Sequence, residues 1–200
     1  MSKEGFIFVA DFHNRAIKIF DSIGQFVHKI ETKRDPLSIA LNRNGNLVVT
    51  ENRNFIEIID VNISSQISQF GTVGSGNGQF DAPFGIAIKE ETGEIIVADS
   101  NNHRIQFFDP DGKFLRKYGT EGTGEGQFSH PYRVCVDSNG NFAVSDCHNH
   151  RIQVLDLYGN VIQMYGSGSQ KTLNFPWGVT FSGDQLIVAD FSNHCVKILK

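Results

Sequence analysis

Asp99, Asn102, His103 and Arg104 place an acid, an amide, an imidazole and a guanidinium within one short stretch. Such groups serve general acid–base or nucleophilic chemistry when a serine joins the acid and the histidine. The spacing does not support that use here. No Ser-His-Asp arrangement can be assigned, and the seven histidines largely follow a repeat. The same order returns at Asp146, Asn149, His150 and Arg151 and at Asp190, Asn193 and His194. It returns with departures at Asp11, Asn14 and Arg15, and at Glu51, Asn54 and Phe55. Two readings compete. In the structural one, the acid caps its own turn and the arginine pairs with an acid or carbonyl of the same or the next unit. In the other, the groups contact a ligand. Recurrence in every unit favours the structural reading for Asp11, Asp99, Asn102, Arg104, Asp146, Asn149, Arg151, Asp190 and Asn193, because ligand contacts rarely need repeating.

The elements that must hold these groups are strands. Ile95–Val97 and Ile105–Phe108 are β-branched and aromatic runs on either side of a polar turn, and each copy keeps that pattern. The turn acids Asp11, Glu51, Asp99, Asp146 and Asp190 are separated by 40, 48, 47 and 44 residues. A period of roughly 40–50 residues with several strands per unit indicates a β-propeller blade, not a helical solenoid. The expected architecture is all-β, a single propeller domain over residues 1–200. Its blades would span 1–33 (partial), 34–80, 81–128, 129–173 and 174–200 (partial). The middle units each carry four strands and the end units three, which implies about five blades of an expected six and an N-terminal truncation. Innermost strands follow a proline and alternate bulky with small residues, as in Gly85 and Ala87 or Gly178 and Thr180; Arg133 is the largest departure. Glycine-rich connectors at 71–80, 119–128 and 166–170 read as crossovers between blades. Phosphate binding is disfavoured, because a strand and not a helix follows each of them.

A chain with 40% hydrophobic residues, 20% charged residues and 20 glycines describes a turn-rich globular protein able to bury a core. The formal charge of −4 argues against indiscriminate nucleic-acid binding. Cys135, Cys147 and Cys195 are odd in number and form no CxxC pair. They suit buried positions in an intracellular, cytoplasmic protein better than a zinc site or a disulfide framework. No signal peptide and no apolar run of membrane-spanning length is present, so no membrane association is expected.

The pattern Val-Ala-Asp-x-x-Asn-His-Arg-Ile-Gln-x-Phe-Asp, preceded by Gly-Gln-Phe-x-x-Pro-x-Gly-Ile-Ala, resembles the NHL repeat. The chain is most similar to the propeller that ends the TRIM-NHL proteins, some of which are E3 ubiquitin ligases. The resemblance implies an upstream RING, B-box and coiled-coil region, a missing first blade, and a closing strand supplied from the propeller's own N-terminus. It also implies one of two roles: selecting protein substrates for ubiquitination, or binding single-stranded or hairpin RNA to repress messages. Other six-bladed propellers hydrolyse lactones with a central Ca²⁺. The inner-strand residues Ser38, Gly85, Arg133 and Gly178 offer no carboxylate for such an ion, so no metal, cofactor or catalytic residue is expected in this chain.

Alternating strand direction puts the acid-bearing turns and the connectors on one face. The non-repeating residues there carry the functional signal. Phe12, Arg53, Phe84, Tyr132, Arg133, His148, Trp177 and Phe191 mix planar rings with cations, which suits anchoring a peptide or stacking unpaired bases. Connectors without Lys or Arg in the third and fourth units lean toward a protein partner.

Overall fold

The repeated stretch is a hairpin. Strand Ile95–Asp99 pairs antiparallel with Arg104–Phe108, Asp99 opposite Arg104, and a single 3-10 turn at Ser100–Asn102 joins them. The turn closes because His103 adopts the left-handed conformation (φ 52°) and its N–H donates to the Ser100 carbonyl. Arg15, His150 and His194 do the same at φ 47°, 55° and 51°. Asn54 holds the corresponding place in the shorter second turn at φ 69°.

The structure, a computed structural model, describes residues 5–52, 54–166 and 172–200. It is an all-β propeller of five antiparallel blades, each a meander of sequential strands. Blade one is β1 (Ile7–Asp11), β2 (Ala16–Phe20) and β3 (Phe26–Glu31). Blade two is β4 (Pro36–Leu41), β5 (Leu47–Glu51), β6 (Phe55–Asp60) and β7 (Ser65–Phe70). The connector after it contains β8 (Thr72–Val73) and β9 (Gln79–Phe80). Blade three is β10 (Pro83–Ile88), β11 (Ile95–Asp99), β12 (Arg104–Phe108) and β13 (Phe114–Tyr118). Blade four is β14 (Pro131–Val136), β15 (Phe142–Asp146), β16 (Arg151–Leu155) and β17 (Val161–Tyr165). Blade five is β18 (Pro176–Ser182), β19 (Gln185–Asp190) and β20 (Cys195–Leu199). The short parallel ladder of β8 with β9, echoed by a single Glu121–Phe128 bridge in the next connector, has no counterpart in the sequence pattern.

The core lies between blades, where the apolar face of one sheet packs on the next. Phe107, Phe128, Phe142 and Val144 fill the junction of blades three and four, and Ile56, Phe80, Ile95 and Phe108 that of blades two and three. Phe80 and Phe128, the last residues of the two long connectors, are fully buried, so each connector is pinned by an aromatic plug.

At the axis, inner strands β4, β10, β14 and β18 neighbour one another in that order and line a channel of about 620 Å³ with β1. The approach of β10 to β14 is close. A Cβ on Gly85 would lie 2.6 Å from the Arg133 Cα and 2.7 Å from the Tyr132 carbonyl oxygen. Gly85 is not in the left-handed region, so its requirement is for space alone. Gly85→Ala is therefore expected to part the two strands and destabilise the fold by about 1–3 kcal/mol, read as a lower urea midpoint. An unchanged midpoint would mean that the inner strands can slide apart freely.

Candidate recognition face

The turn acids hold the loop that enters the inner strand of their own blade. Asp99 Oδ1 accepts the Asp81 N–H at 2.8 Å, Asp146 Oδ1 the Ser129 N–H at 2.6 Å, and Asp190 Oδ1 the Asn174 N–H at 2.7 Å. Asp11, Asp99, Asp146 and Asp190 make no side-chain cap to their own turns, which corrects the expectation that they would. In blades three to five the turn amides are already engaged: Ser100 and Asn101 donate to the Ala82 and Asp81 carbonyls, His148 to Ser129 and Ser192 to Asn174. The acids of blades three to five therefore bind the strand-entry loop two residues before the proline. Asn14, Asn102, Asn149 and Asn193 each donate Nδ2 to the acid of their own turn, and Asn102 and Asn149 also reach the connector carbonyls of Gly74 and Gly122.

Arg104 completes the lock. Its Nε donates to Asp99 Oδ2 at 2.8 Å, and its remaining nitrogens donate to the carbonyls of Ser75, Gly76 and Gln79. Arg151 repeats this with Asp146, Thr123, Gly124 and Gln127. Both side chains are nearly buried. Their planar forks are used up in holding the connectors.

The repeat histidines also join blades. His103 Nδ1 accepts the His130 N–H and His150 Nδ1 the Phe175 N–H, while Asn54 Oδ1 accepts the Ala82 N–H in the equivalent place. The donors Ala82, His130 and Phe175 precede prolines and have φ of 52°, 50° and 49°. Asn54 thus substitutes for histidine by offering the same acceptor.

The non-repeating rings form a shelf. Phe84 stacks on Tyr132 at 4.7 Å, Tyr132 meets Trp177 at 5.8 Å, and Trp177 stacks on Phe191 at 4.3 Å with an interplanar angle of 6°. Trp177 is 46% and Phe191 51% exposed. A second row runs beside it: His103 meets His130 edge-on, His130 stacks on His148 at 4.2 Å, and His148 meets Phe175. Burial, then the His148 and His103 charges, lower the His130 pKa, so its ring stays uncharged below the ordinary histidine range. Tyr132 is raised, chiefly by burial.

The structure brings Phe84, Tyr132, His148, Trp177 and Phe191 together. Phe12 stands apart in blade one against His13, and Arg53 lies outside the described residues, as do residues 167–170 of the third connector. Arg133 turns into the channel. Its Nη2 donates to the Leu37 carbonyl at 3.1 Å on the inner strand of blade two, and burial lowers its pKa. Cys135 and Cys147 are pushed up to about 12 by burial, while Cys195 is exposed. Among the described residues no group of three or more metal-ligating side chains exists, and no helix is long and apolar enough to cross a membrane.

The fold and these cross-blade locks define a β-propeller. Within it, three stretches match the NHL repeat, at residues 80–108, 128–155 and 173–199. The chain is 38% identical over 103 residues to protein lin-41 of Caenorhabditis elegans, which covers 51% of this chain and 8% of that protein. It is 44% identical over 57 residues to the E3 ubiquitin-protein ligase TRIM71 of Rattus norvegicus, 28% of this chain and 6% of the relative. It is 52% identical over 46 residues to protein brain tumor of Drosophila melanogaster, 23% of this chain and 4% of the relative. The chain thus spans less than a tenth of these relatives. Among solved structures, a streptogramin B lyase superposes over 100% of this chain and 66% of its own with a TM-score of 0.75, and the 17% identity carries the fold alone.

Proposed function

We propose that this propeller is the non-catalytic recognition module of a TRIM-NHL-like protein in the cytoplasm, which captures a protein substrate on the turn-and-connector face for ubiquitination by an upstream RING region. The observation that supports this reading is the exposed Trp177–Phe191 stack at the end of the shelf. Exposed aromatics in a row, backed by the uncharged His130 ring, suit an apolar or aromatic anchor of a partner. Phosphates would need cations there. Among the described residues Arg104 and Arg151 are consumed by the connectors and Arg133 by the channel. The relatives' names, which include an E3 ubiquitin-protein ligase, agree with this assignment.

Affinity capture with full-length protein tests it. The paired change Trp177→Ala and Phe191→Ala is expected to weaken the captured protein partner about 10- to 100-fold. Thermal stability should stay nearly unchanged, since both rings are half exposed. Retained capture by the variant, with enrichment of a defined motif from a single-stranded and hairpin RNA pool at physiological salt, would reverse the assignment in favour of RNA.

A further inference from the structure

Arg133 is left without an acid. Among the described residues Arg15, Arg34, Arg104, Arg116 and Arg151 each form an ion pair, while Arg43 and Arg133 form none. Arg43 is exposed in the turn after β4 and donates to the Glu90 carbonyl. Arg133 is recessed. It lines the channel, only partly exposed, and the one hydrogen bond of its guanidinium runs from Nη2 to the Leu37 carbonyl at 3.1 Å. Burial alone lowers its pKa, whereas a carboxylate in contact would raise it. Its Nε and Nη1 have no acceptor among the described residues, and a recessed cation with one neutral partner is under-compensated.

The backbone sets this group at the rim of the channel. Pro131 of β14 pairs with the turn acid Asp146, and Pro36 of β4 with Glu51, so Arg133 and Leu37 lie near the turn-bearing ends of their strands. The pairing of β14 with β15 slips between Pro131 and Val134, and a slip of this kind re-aims the side chains within it. The aromatic shelf is tied to the same place. Ser145, fully buried, accepts the Arg133 N–H at 2.8 Å and donates to the Trp177 carbonyl at 3.1 Å. One hydroxyl thus fixes the strand that carries the guanidinium against the strand that carries the exposed indole.

The charges nearby select the anion. Asp11, Asp99, Asp146 and Asp190 already hold cations. The connector at 119–128 brings Glu121 and Glu125 and no Lys or Arg. A run of phosphates along the face would meet these carboxylates. A single carboxylate at the rim meets the fork of Arg133, whose parallel N–H groups match its two oxygens.

We propose that the recognition face reads an acidic residue: the partner segment that rests an apolar side chain on the Trp177–Phe191 shelf sets an aspartate or glutamate carboxylate on the Arg133 guanidinium at the channel mouth. The proposal rests on the shelf being the docking surface. It adds the chemistry of the segment that docks there, a hydrophobic anchor with an acid close to it in sequence.

A random peptide library displayed on phage and selected against the intact chain tests it. The enriched peptides are expected to hold an Asp or Glu at a fixed spacing from an aromatic or aliphatic residue. In one such peptide, exchanging the acid for its amide should weaken binding about ten- to hundredfold by calorimetry. Arg133→Gln should cost the same, and the two changes together no more than either alone. The peptide exchange leaves the protein untouched, so it reads the acid even where Arg133→Gln disturbs the fold, and Arg133→Lys should recover part of the loss. Unchanged affinity in Trp177→Ala would sink the shelf reading and this proposal with it. Affinity lost in Trp177→Ala but indifferent to the acid-to-amide exchange would overturn the acid alone. An empty selection, an acid preference that survives in Arg133→Gln, or binding of a single-stranded RNA pool that disappears in Arg133→Gln would each overturn the proposal as well.

Discussion

Arg104→Ala is expected to destabilise the propeller by about 3–5 kcal/mol, because it removes the cation from a buried acid and a donor from three carbonyls together. Asp99 is fully buried, and the guanidinium is its only ionic partner among the described residues. The carbonyls of Ser75, Gly76 and Gln79 would lose that donor in the same step. Arg104→Lys should recover less than half of the loss, since one ammonium cannot reach four acceptors arranged around a planar fork. Urea unfolding checks the magnitude, and hydrogen exchange at residues 74–79 checks the place. A shift below about 1 kcal/mol would put the pair in the class of surface ion pairs and remove the connectors from the stability argument.

Glu57→Gln should have the opposite sign. Burial, then the neighbouring Glu57 charge, push Glu51 from its ordinary 4.5 to about 7, with Arg34 opposing. A carboxyl whose folded pKa is raised favours the folded state fully below its unfolded value. That contribution is lost as the pH rises through the folded value. The parent protein should therefore lose stability from pH 5 to pH 8, by on the order of 3 kcal/mol if the full shift is realised. The substitution would remove the adjacent charge and supply an N–H donor, so the variant should be the more stable at pH 8 and show a flatter profile. Melting temperatures measured across that range decide it. A parent profile that is flat, or that rises with pH, would mean that Glu51 is already neutralised by a nearer cation.

The repeat made the architecture legible. Separations of the turn acids and the β-branched runs around them were enough to place the hairpins, because strand and turn formation depend on neighbouring residues. The roles of the repeated polar groups were legible only in part. Asp99 and Asp146 look like caps in sequence, yet they bind amides 18 and 17 residues away on the entry to an inner strand. His103 follows the repeat in sequence, but nothing local shows that its ring accepts the His130 N–H of the next blade. Arg133 stood out as the one large residue on a small-residue face, but its contact with Leu37 lies 96 residues away, a distance no local pattern encodes. Glu57 was overlooked as one polar residue in a strand. Aligning it with Lys18, Gln106, Gln153 and Lys197 would have exposed it as the single acid among bases and amides.

Most polar ties between blades in this molecule join sequence neighbours, so its sheets behave as links in a linear chain. Such a chain can fray from one end while the other stays intact. The Arg133–Leu37 bond is of another kind, since it reaches from blade four past blade three to blade two. It works as a cross-brace, tying three consecutive links into one cooperative unit, so that the centre of the propeller is expected to open only as a whole.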